Sequence, residues 1–353
     1  MPVRITPKPA LSLGNLGAET QKRDPEITVH KKMVIYSNRD SGENQTGSAV
    51  LILVGFSYLH ELQILLFLLL LVIYLLTLMG NLLVILLIKL NPFLHSPMYF
   101  FLVNLSFLEI CFTSSVVPQL LVHLLVEEKT ISLTGCAAQM YVITIMGLTE
   151  CCLLAAMAYD RYAAICHPLH YTTIMSGRAC AQLAVASWFF GISVEVAQIT
   201  WIFSLPFCGS NRIRHFFCDI PPVLKMACSD TSKNEIMVLT VTVVFIMGPF
   251  LLIILSYVRI LSTVLKVPSA EGKRKAFSTC SSHLMVVTLF YGLALITYLG
   301  VKSSSTSESN QIIALMNIIV SPALNPIIYT LRNKEVKGAL IKTLGKVSVA
   351  QNC

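Results

Sequence analysis

Apolar residues in this chain gather into long stretches separated by short polar segments, a pattern unlike alternating strands or one-sided surface helices. Crossing roughly 30 Å of hydrocarbon at 1.5 Å per residue takes about 20 residues of helix. Seven stretches reach that length: near Gln63 to Ile88, Pro97 to Val122, Cys136 to Tyr162, Ala179 to Trp201, Ile236 to Val258, Phe277 to Leu299 and Gln311 to Leu331. They predict an all-α membrane protein, a seven-transmembrane helix bundle. After the last span, Lys334 to Lys346 places Val336, Leu340 and Leu344 on one stripe flanked by lysines. That pattern predicts a short amphipathic eighth helix lying on the membrane surface. The chain then divides into an extracellular N-terminal tail over 1–62, expected to be largely disordered, a seven-transmembrane domain over 63–331, and a cytoplasmic tail with the amphipathic helix over 332–353.

Composition strengthens this reading: 55% hydrophobic residues against 12% charged is too apolar for a chain of this length to stay in water. Mean hydropathy is +0.72, so the natural solvent is the lipid bilayer. Basic residues in short loops set the orientation. One face carries Lys89, Arg161, Arg178, Arg259, Lys266, Lys273, Arg274 and Lys275, then Arg332, Lys334, Lys337, Lys342 and Lys346 in the tail. The opposite face has Lys129, Arg212, Arg214, Lys225, Lys233 and Lys302. The N-terminus is therefore expected outside and the C-terminus in the cytoplasm of a multi-pass plasma-membrane protein. A cytoplasmic rim beside anionic lipid accounts for most of the net charge of +8, and no nucleic-acid partner is needed.

Residues 1 to about 48 lack the apolar core of a cleavable signal peptide, so the first span is expected to serve as its own insertion signal. Met33 is an alternative start to Met1. Asn44-Gln45-Thr46 is a glycosylation sequon on the predicted outer side, while Asn104-Leu105-Ser106 lies inside a span and is discounted. Of the 11 cysteines, Cys136, Cys208, Cys218 and Cys228 fall on the outer side, where disulfides can form. Four cysteines permit three pairings, which spacing does not resolve. A metal site with His215 is the competing use of these thiols. The long loop from about Ile202 to Asn234 holds three of the four together with Pro221 and Pro222, and cross-linking would make it a structured lid or simply a stabilised loop.

The third span ends in Met157-Ala158-Tyr159-Asp160-Arg161-Tyr162, followed by Ala163-Ala164-Ile165-Cys166-His167-Pro168-Leu169. About 37 Å of helix, a membrane thickness, separates Cys136 from Arg161. The seventh span closes with Pro322-Ala323-Leu324-Asn325-Pro326-Ile327-Ile328-Tyr329, where Pro326 is expected to free a backbone carbonyl for Asn325 or water. Three further segments are Pro97-Met98-Tyr99-Phe100-Phe101-Leu102, Leu105-Ser106-Phe107-Leu108-Glu109, and Lys275-Ala276-Phe277-Ser278-Thr279-Cys280-Ser281-Ser282-His283. Together, in this order, the five motifs resemble those of olfactory receptors, a branch of the rhodopsin-like G-protein-coupled receptors, and they come nearest to family 10, subfamily A. The resemblance runs from about Leu53 to Lys346.

That resemblance implies pairing of Cys136 with Cys218 and of Cys208 with Cys228. It implies G-protein coupling through Asp160, Arg161, Tyr162, Asn325, Pro326 and Tyr329, with Arg161 held by its neighbour at rest and turned toward the G protein on activation. An arginine cannot shed its charge, so when partly buried it needs a partner until a new one arrives. The resemblance also implies a small volatile odorant as ligand, and a stimulatory olfactory-type G protein with a rise in cyclic AMP. The sixth span carries Phe290-Tyr291-Gly292 where many rhodopsin-like receptors have Cys-Trp-x-Pro. Olfactory receptors share this departure, and it removes the basis for a proline hinge.

Two carboxylates lie mid-membrane, Glu109 in the second span and Glu150 in the third, and each is expensive there if ionised and unpaired. A possible sodium ion between them, near Asn325, is implied by the resemblance; protonated, hydrogen-bonded carboxyls are the alternative. Otherwise no cofactor is expected, and Glu195 in the fourth span has no assigned partner. The same resemblance implies ligand contact in the outer half from Ile143, Thr144, Gly147 and Leu148, from Thr242 and Phe245, and from Tyr291, Ala294, Leu295 and Tyr298. A lining of this kind suits a small, neutral, mostly apolar molecule. Transporter and channel readings lack an internal repeat and paired broken helices, and enzyme readings lack His-Glu-x-x-His or Gly-x-Ser-x-Gly.

Overall fold

The computed structural model describes residues 50–56, 61–208, 210–300, 307–332 and 336–342. Asn44, Met33 and Leu344 lie outside these residues, as do the side chains of Leu295 and Tyr298. All seven predicted spans are helical. They are α1 (Gln63–Leu90), α2 (Pro97–Leu125), α3 (Leu133–Cys166), α4 (Gly177–Phe203), α5 (Ser232–Lys266), α6 (Ala270–Gly300) and α7, built from Ser307–Leu315, Met316–Val320 and Ser321–Arg332. Six of them are long and apolar enough to cross a membrane. For α6 the apolar stretch is the shorter Cys280–Ala294, because the first turns of its 31 residues carry Glu271, Lys273 and Arg274. Most helices outrun their predicted spans at the ends, where polar side chains continue the helix beyond hydrocarbon.

Helix starts follow local chemistry. Pro97 opens α2, Ser132 caps α3 by accepting from the Gly135 N–H at 3.0 Å, and Ser176 caps α4 through Ala179. On α1 the residues turned inward are Leu70, Thr77, Asn81, Val84, Leu87 and Ile88, whereas Leu65, Leu68, Leu69, Val72, Leu76 and Leu83 stand exposed. An apolar exposed face with polar residues hidden inside inverts the order of a soluble helix, as lipid contact requires.

Two helices are interrupted by wide π turns, Thr242–Met247 in α5 and Met316–Val320 in α7. Each ends one residue short of a proline, Pro249 and Pro322, whose ring would strike the carbonyl four residues earlier in a regular helix. The segment holding Pro326 remains helical, so the irregularity in α7 lies earlier than the sequence suggested. Removing the Pro326 N–H still leaves the Pro322 carbonyl without its helical donor, and Asn81 Nδ2 on α1 fills that role at 3.3 Å. Asn325 does not fill that role, because its Nδ2 donates to Glu109.

At the α3 N-terminal end, strand β1 (Val50–Leu53) pairs antiparallel with β2 (Thr130–Ser132) and parallel with β3 (Arg212–Ile213). Gly55 lies so close to Phe216 that a Cβ would approach the Phe216 Cβ to 2.5 Å, which only glycine permits. Gln311 at the head of α7 accepts from the Phe56 N–H at 3.1 Å and donates to the Arg214 carbonyl at 3.4 Å. The segment before α1 is thus tied to both the long loop and α7. At the other end, residues 336–342 are helical, with Val336 and Ala339 fully buried against the main core and Ile341 exposed.

Candidate functional site

The predicted functional residues fall into three levels along α3, reached in turn at Thr144, Glu150 and Arg161. These positions are separated by about 9 Å and about 16 Å of helix rise.

At the first level, Cys136 bonds to Cys218 and Cys208 to Cys228, with Cα separations of 5.5 and 5.8 Å. One turn into α3, Gln139 accepts from the Cys218 N–H at 2.9 Å and donates to Gln119 Oε1 and the Ser115 carbonyl at 2.9 and 3.0 Å. It joins the loop, α2 and α3 through one side chain. The sequence offered only a polar residue three positions after Cys136 as its signal. His215 is buried among Phe216 and Phe217, with ring centroids 4.8 and 4.4 Å away, and this apolar enclosure pushes its pKa down to about 4. Asp219 caps the short helix Ile220–Leu224 through the Ile220 N–H at 2.8 Å, and its burial raises its pKa.

Below the loop lie the predicted ligand residues. A Cβ built at Gly147 would meet nothing within 4 Å, so α3 faces open space at that level. One turn further along, Cys151 lies against the Tyr291 side chain of α6, which is 2% exposed and packs with tilted rings on Phe250, centroids 4.6 Å apart. Tyr291, Phe250 and Cys151 therefore lie one turn inward of the space beside Gly147. Leu148 is buried at 3% exposure, and Ile143 packs toward the cluster formed by α1, α2 and α7. The hydroxyls of Thr144 and Thr242 donate to the carbonyls of Met140 and Val238, at 2.9 and 2.8 Å, so both are committed to their own helices. Phe245, on the π turn, meets Phe190 of α4 with ring centroids 6.3 Å apart, and Ala294 is half-buried on α6.

At the middle level Glu109 is 1% and Glu150 3% exposed. Asn325 Nδ2 donates to Glu109 Oε1, bringing α7 to α2. Four buried oxygens here find no hydrogen-bond partner: Glu109 Oε2, Glu150 Oε1, Asn325 Oδ1 and Ser321 Oγ. Buried acceptors left unpaired are rare. Carboxylate, amide and hydroxyl oxygens are hard donors of the kind that suit a small cation. Asn325 was already placed beside this pair by the resemblance; Ser321, one turn earlier on the same helix, was not.

At the third level Arg161 grips its neighbour Asp160, Nη2 to Oδ2 at 2.6 Å and Nε to the same oxygen at 3.1 Å. Asp160 is fully buried and accepts a third bond, from the Tyr171 hydroxyl at 2.8 Å. Tyr171 belongs to the short helix Tyr171–Ile174 in the loop after α3 and was missed by the sequence reading. Beside this triad, His283 of α6 bonds both ring nitrogens. Nε2 faces the Leu154 carbonyl at 3.1 Å and Nδ1 the Tyr257 hydroxyl at 2.7 Å. A carbonyl only accepts, so the Nε2 proton goes to Leu154 and Nδ1 accepts from Tyr257. One neutral imidazole thereby joins α3, α5 and α6. Tyr329 of α7 is buried nearby, and Tyr162 turns to His167 at 3.0 Å. Ile260, Val264 and Cys280 pack with Tyr162, Ile165, Cys166 and Ala276, so apolar contact closes this end of the bundle.

Comparison with known proteins accords with this layout. The family model described as "Olfactory receptor" matches residues 70–346. Olfactory receptor 10A4 of Homo sapiens is 58% identical over 310 residues, covering 88% of this chain and 98% of its own. Olfactory receptor 10A5 of Homo sapiens is 55% identical over 311 residues, with coverages of 88% and 98%. Olfactory receptor 10A2 of Homo sapiens is 55% identical over 293 residues, with coverages of 83% and 97%. Among solved structures, squid rhodopsin superposes with a TM-score of 0.66 at 18% identity, covering 82% of this chain and 87% of its own. That likeness shows the rhodopsin fold. The multi-pass helical bundle, the order of its motifs and the near-complete coverage of these relatives lead to one conclusion: the chain belongs to the olfactory receptor family, G-protein-coupled receptors that sense odorants and are not enzymes.

Proposed function

We propose that this receptor takes a small, neutral, mostly apolar volatile molecule into the half of the bundle under the disulfide-bonded loop and answers by activating a stimulatory olfactory-type heterotrimeric G protein, raising cyclic AMP. The disulfide end faces outward and the Arg161 end the cytoplasm, as the basic residues on the Arg161 side require, with Asn44 available for glycosylation outside and the chain resident in the plasma membrane. The observation that carries this reading is the neutral His283 latch beside the Arg161, Asp160 and Tyr171 triad. It connects α6, which also carries Tyr291, directly to the helix that holds the charge.

The sequence of events follows from that connection. Tyr291 and His283 lie eight residues apart on α6, about two turns, and so on nearly the same face. A ligand in the space beside Gly147 bears on Tyr291 and Phe250. Displacing α6 there strains the bonds from His283 to Leu154 and Tyr257 at the far end. Once α6 withdraws, the apolar seal around Ile260 and Cys280 opens. Arg161 can then exchange Asp160 for acceptors on the G protein, and no proton needs to leave it. Glu109, Glu150, Asn325 and Ser321 would hold a sodium ion, whose single positive charge would lower the cost of the two buried carboxylates.

Expression in cells with a cyclic-AMP reporter, challenged with volatile alcohols, aldehydes, esters, acids and heterocycles, tests the coupling. Arg161→Ala should abolish any response while the receptor still reaches the surface; a mutant that responds like wild type defeats the mechanism. For the ion, Glu150→Gln should change the dependence of signalling on external sodium, and an unchanged dependence rules the site out.

A further inference from the structure

Glu195 stands apart from the Glu109 and Glu150 pair. It lies on the face of α4 that packs on α3, four residues from Gly191, where a Cβ would come within 2.1 Å of Thr149 Oγ1. One turn outward of that contact the Glu195 carboxyl lies against the Thr144 side chain of α3. Gln198, three residues further, shares the face. Glu195 is 5% and Gln198 2% exposed, yet Glu195 Oε2 and Gln198 Oε1 have no hydrogen-bond partner. Gln198 Oε1 is an acceptor, and so is Glu195 Oε2 when the carboxylate is ionised.

The donors outward of Thr149 are engaged, while the Thr149 hydroxyl, pressed against Gly191, has no partner of its own. Thr144 donates to Met140 at 2.9 Å, Gln139 to Ser115 and Gln119, and the Tyr141 and Thr200 hydroxyls bond each other at 2.8 Å. Buried acceptors without partners are uncommon and costly, so a donor from outside the chain is the natural complement. Thr144 is three residues from Gly147, on the same side of α3, and Gly147 borders the open space. A ligand lying there has its end group within reach of this cluster.

We propose that Glu195 and Gln198, with Thr144 opposite, form a polar subsite that receives the hydroxyl of a small alcohol, while its hydrocarbon lies beside Gly147, outward of Tyr291. The inference rests on the outer half being the odorant cavity, and it names the chemical class the cavity prefers. An alcohol offers the missing O–H. Its methyl ether has nearly the same shape and no donor.

The test uses the full-length receptor and a panel of linear, cyclic and terpenoid alcohols, each paired with its methyl ether. Readouts are cyclic-AMP potency in cells and thermal stabilisation of purified receptor in lipid nanodiscs. Alcohols should exceed their ethers by about tenfold in wild type, the size of one net hydrogen bond. Glu195→Leu and Gln198→Leu should bring each pair level without weakening the ethers, whereas Glu195→Gln, which keeps an acceptor oxygen, should retain the preference. Equal potency of alcohol and ether in wild type means the cluster binds only water, and it overturns the subsite while leaving the cavity in place. A preference that survives both leucine variants also overturns it. If no member of the panel acts in either readout, the cavity reading fails and takes the subsite with it. The wild-type ratio decides even where a leucine variant fails to reach the surface.

Discussion

The two ends of the bundle are held together by different kinds of bond. At the loop end, two disulfides, a three-stranded sheet and the Gln139 and Gln311 links tie the chain together across long sequence separations. At the Arg161 end the ties are one ion pair, hydrogen bonds through Tyr171 and His283, and an apolar seal. Covalent links do not exchange partners on the timescale of a signal, whereas hydrogen bonds and packed side chains do. The loop end thus keeps its shape while ligands come and go, and the opposite end can hold two arrangements of similar energy.

Breaking the rigid end should have the largest effect. Cys136→Ser opens a disulfide between residues 82 apart in sequence and leaves the loop held to the bundle by the Gln139 and Gln311 hydrogen bonds, the short strands and apolar packing. Removing such a bond typically costs about 2–5 kcal/mol, so loss of surface receptor in an antibody-labelling assay is the expected outcome. A variant that reaches the surface at wild-type level would show that these remaining ties suffice.

Acid tests the same end by a different route. His215 has a folded pKa of about 4, below the ordinary value of 6.5, so between those values the unfolded chain binds more protons than the folded one. Stability contributed by neutral His215 is intact above pH 6.5 and is lost as pH falls toward 4, by on the order of 3 kcal/mol at most. Thermal unfolding of purified receptor should flatten with pH in His215→Leu across that window. Identical pH profiles for variant and wild type would remove His215 from the account.

The smallest change sharpens the switchable end. Tyr171→Phe deletes one hydroxyl and its 2.8 Å bond to Asp160 while keeping the ring. A hydrogen bond to a charged group contributes about 1.5–3 kcal/mol, and part of that is recovered by other contacts. Basal cyclic AMP should rise several-fold with surface level unchanged; a flat basal signal would mean that Arg161 holds Asp160 unaided.

These contrasts also mark how far the chain could be read before its structure was known. The spans were legible because lipid demands unbroken apolar length, which sequence displays directly. The Asp160 and Arg161 pair was legible because its partners are neighbours in the chain. Gln139, Asn81 and Gln311 were not, since each acquires its role from a partner 79 or more residues away. The strand at Val50–Leu53 had no signal of its own either: four apolar residues pair there only because the loops bring two other strands alongside. The π turns escaped attention for a subtler reason. Pro249 and Pro322 announce a disturbance, but whether a helix breaks, kinks or widens depends on what packs against it.

The contact at Gly191 bears on how force moves through the receptor. With the Thr149 side chain filling the place of a Cβ, α3 and α4 interlock at this level, and the close fit resists rolling of one against the other. The two helices form a stator, and the charge-bearing helix does not need to travel. Whatever turns in this machine must turn around it.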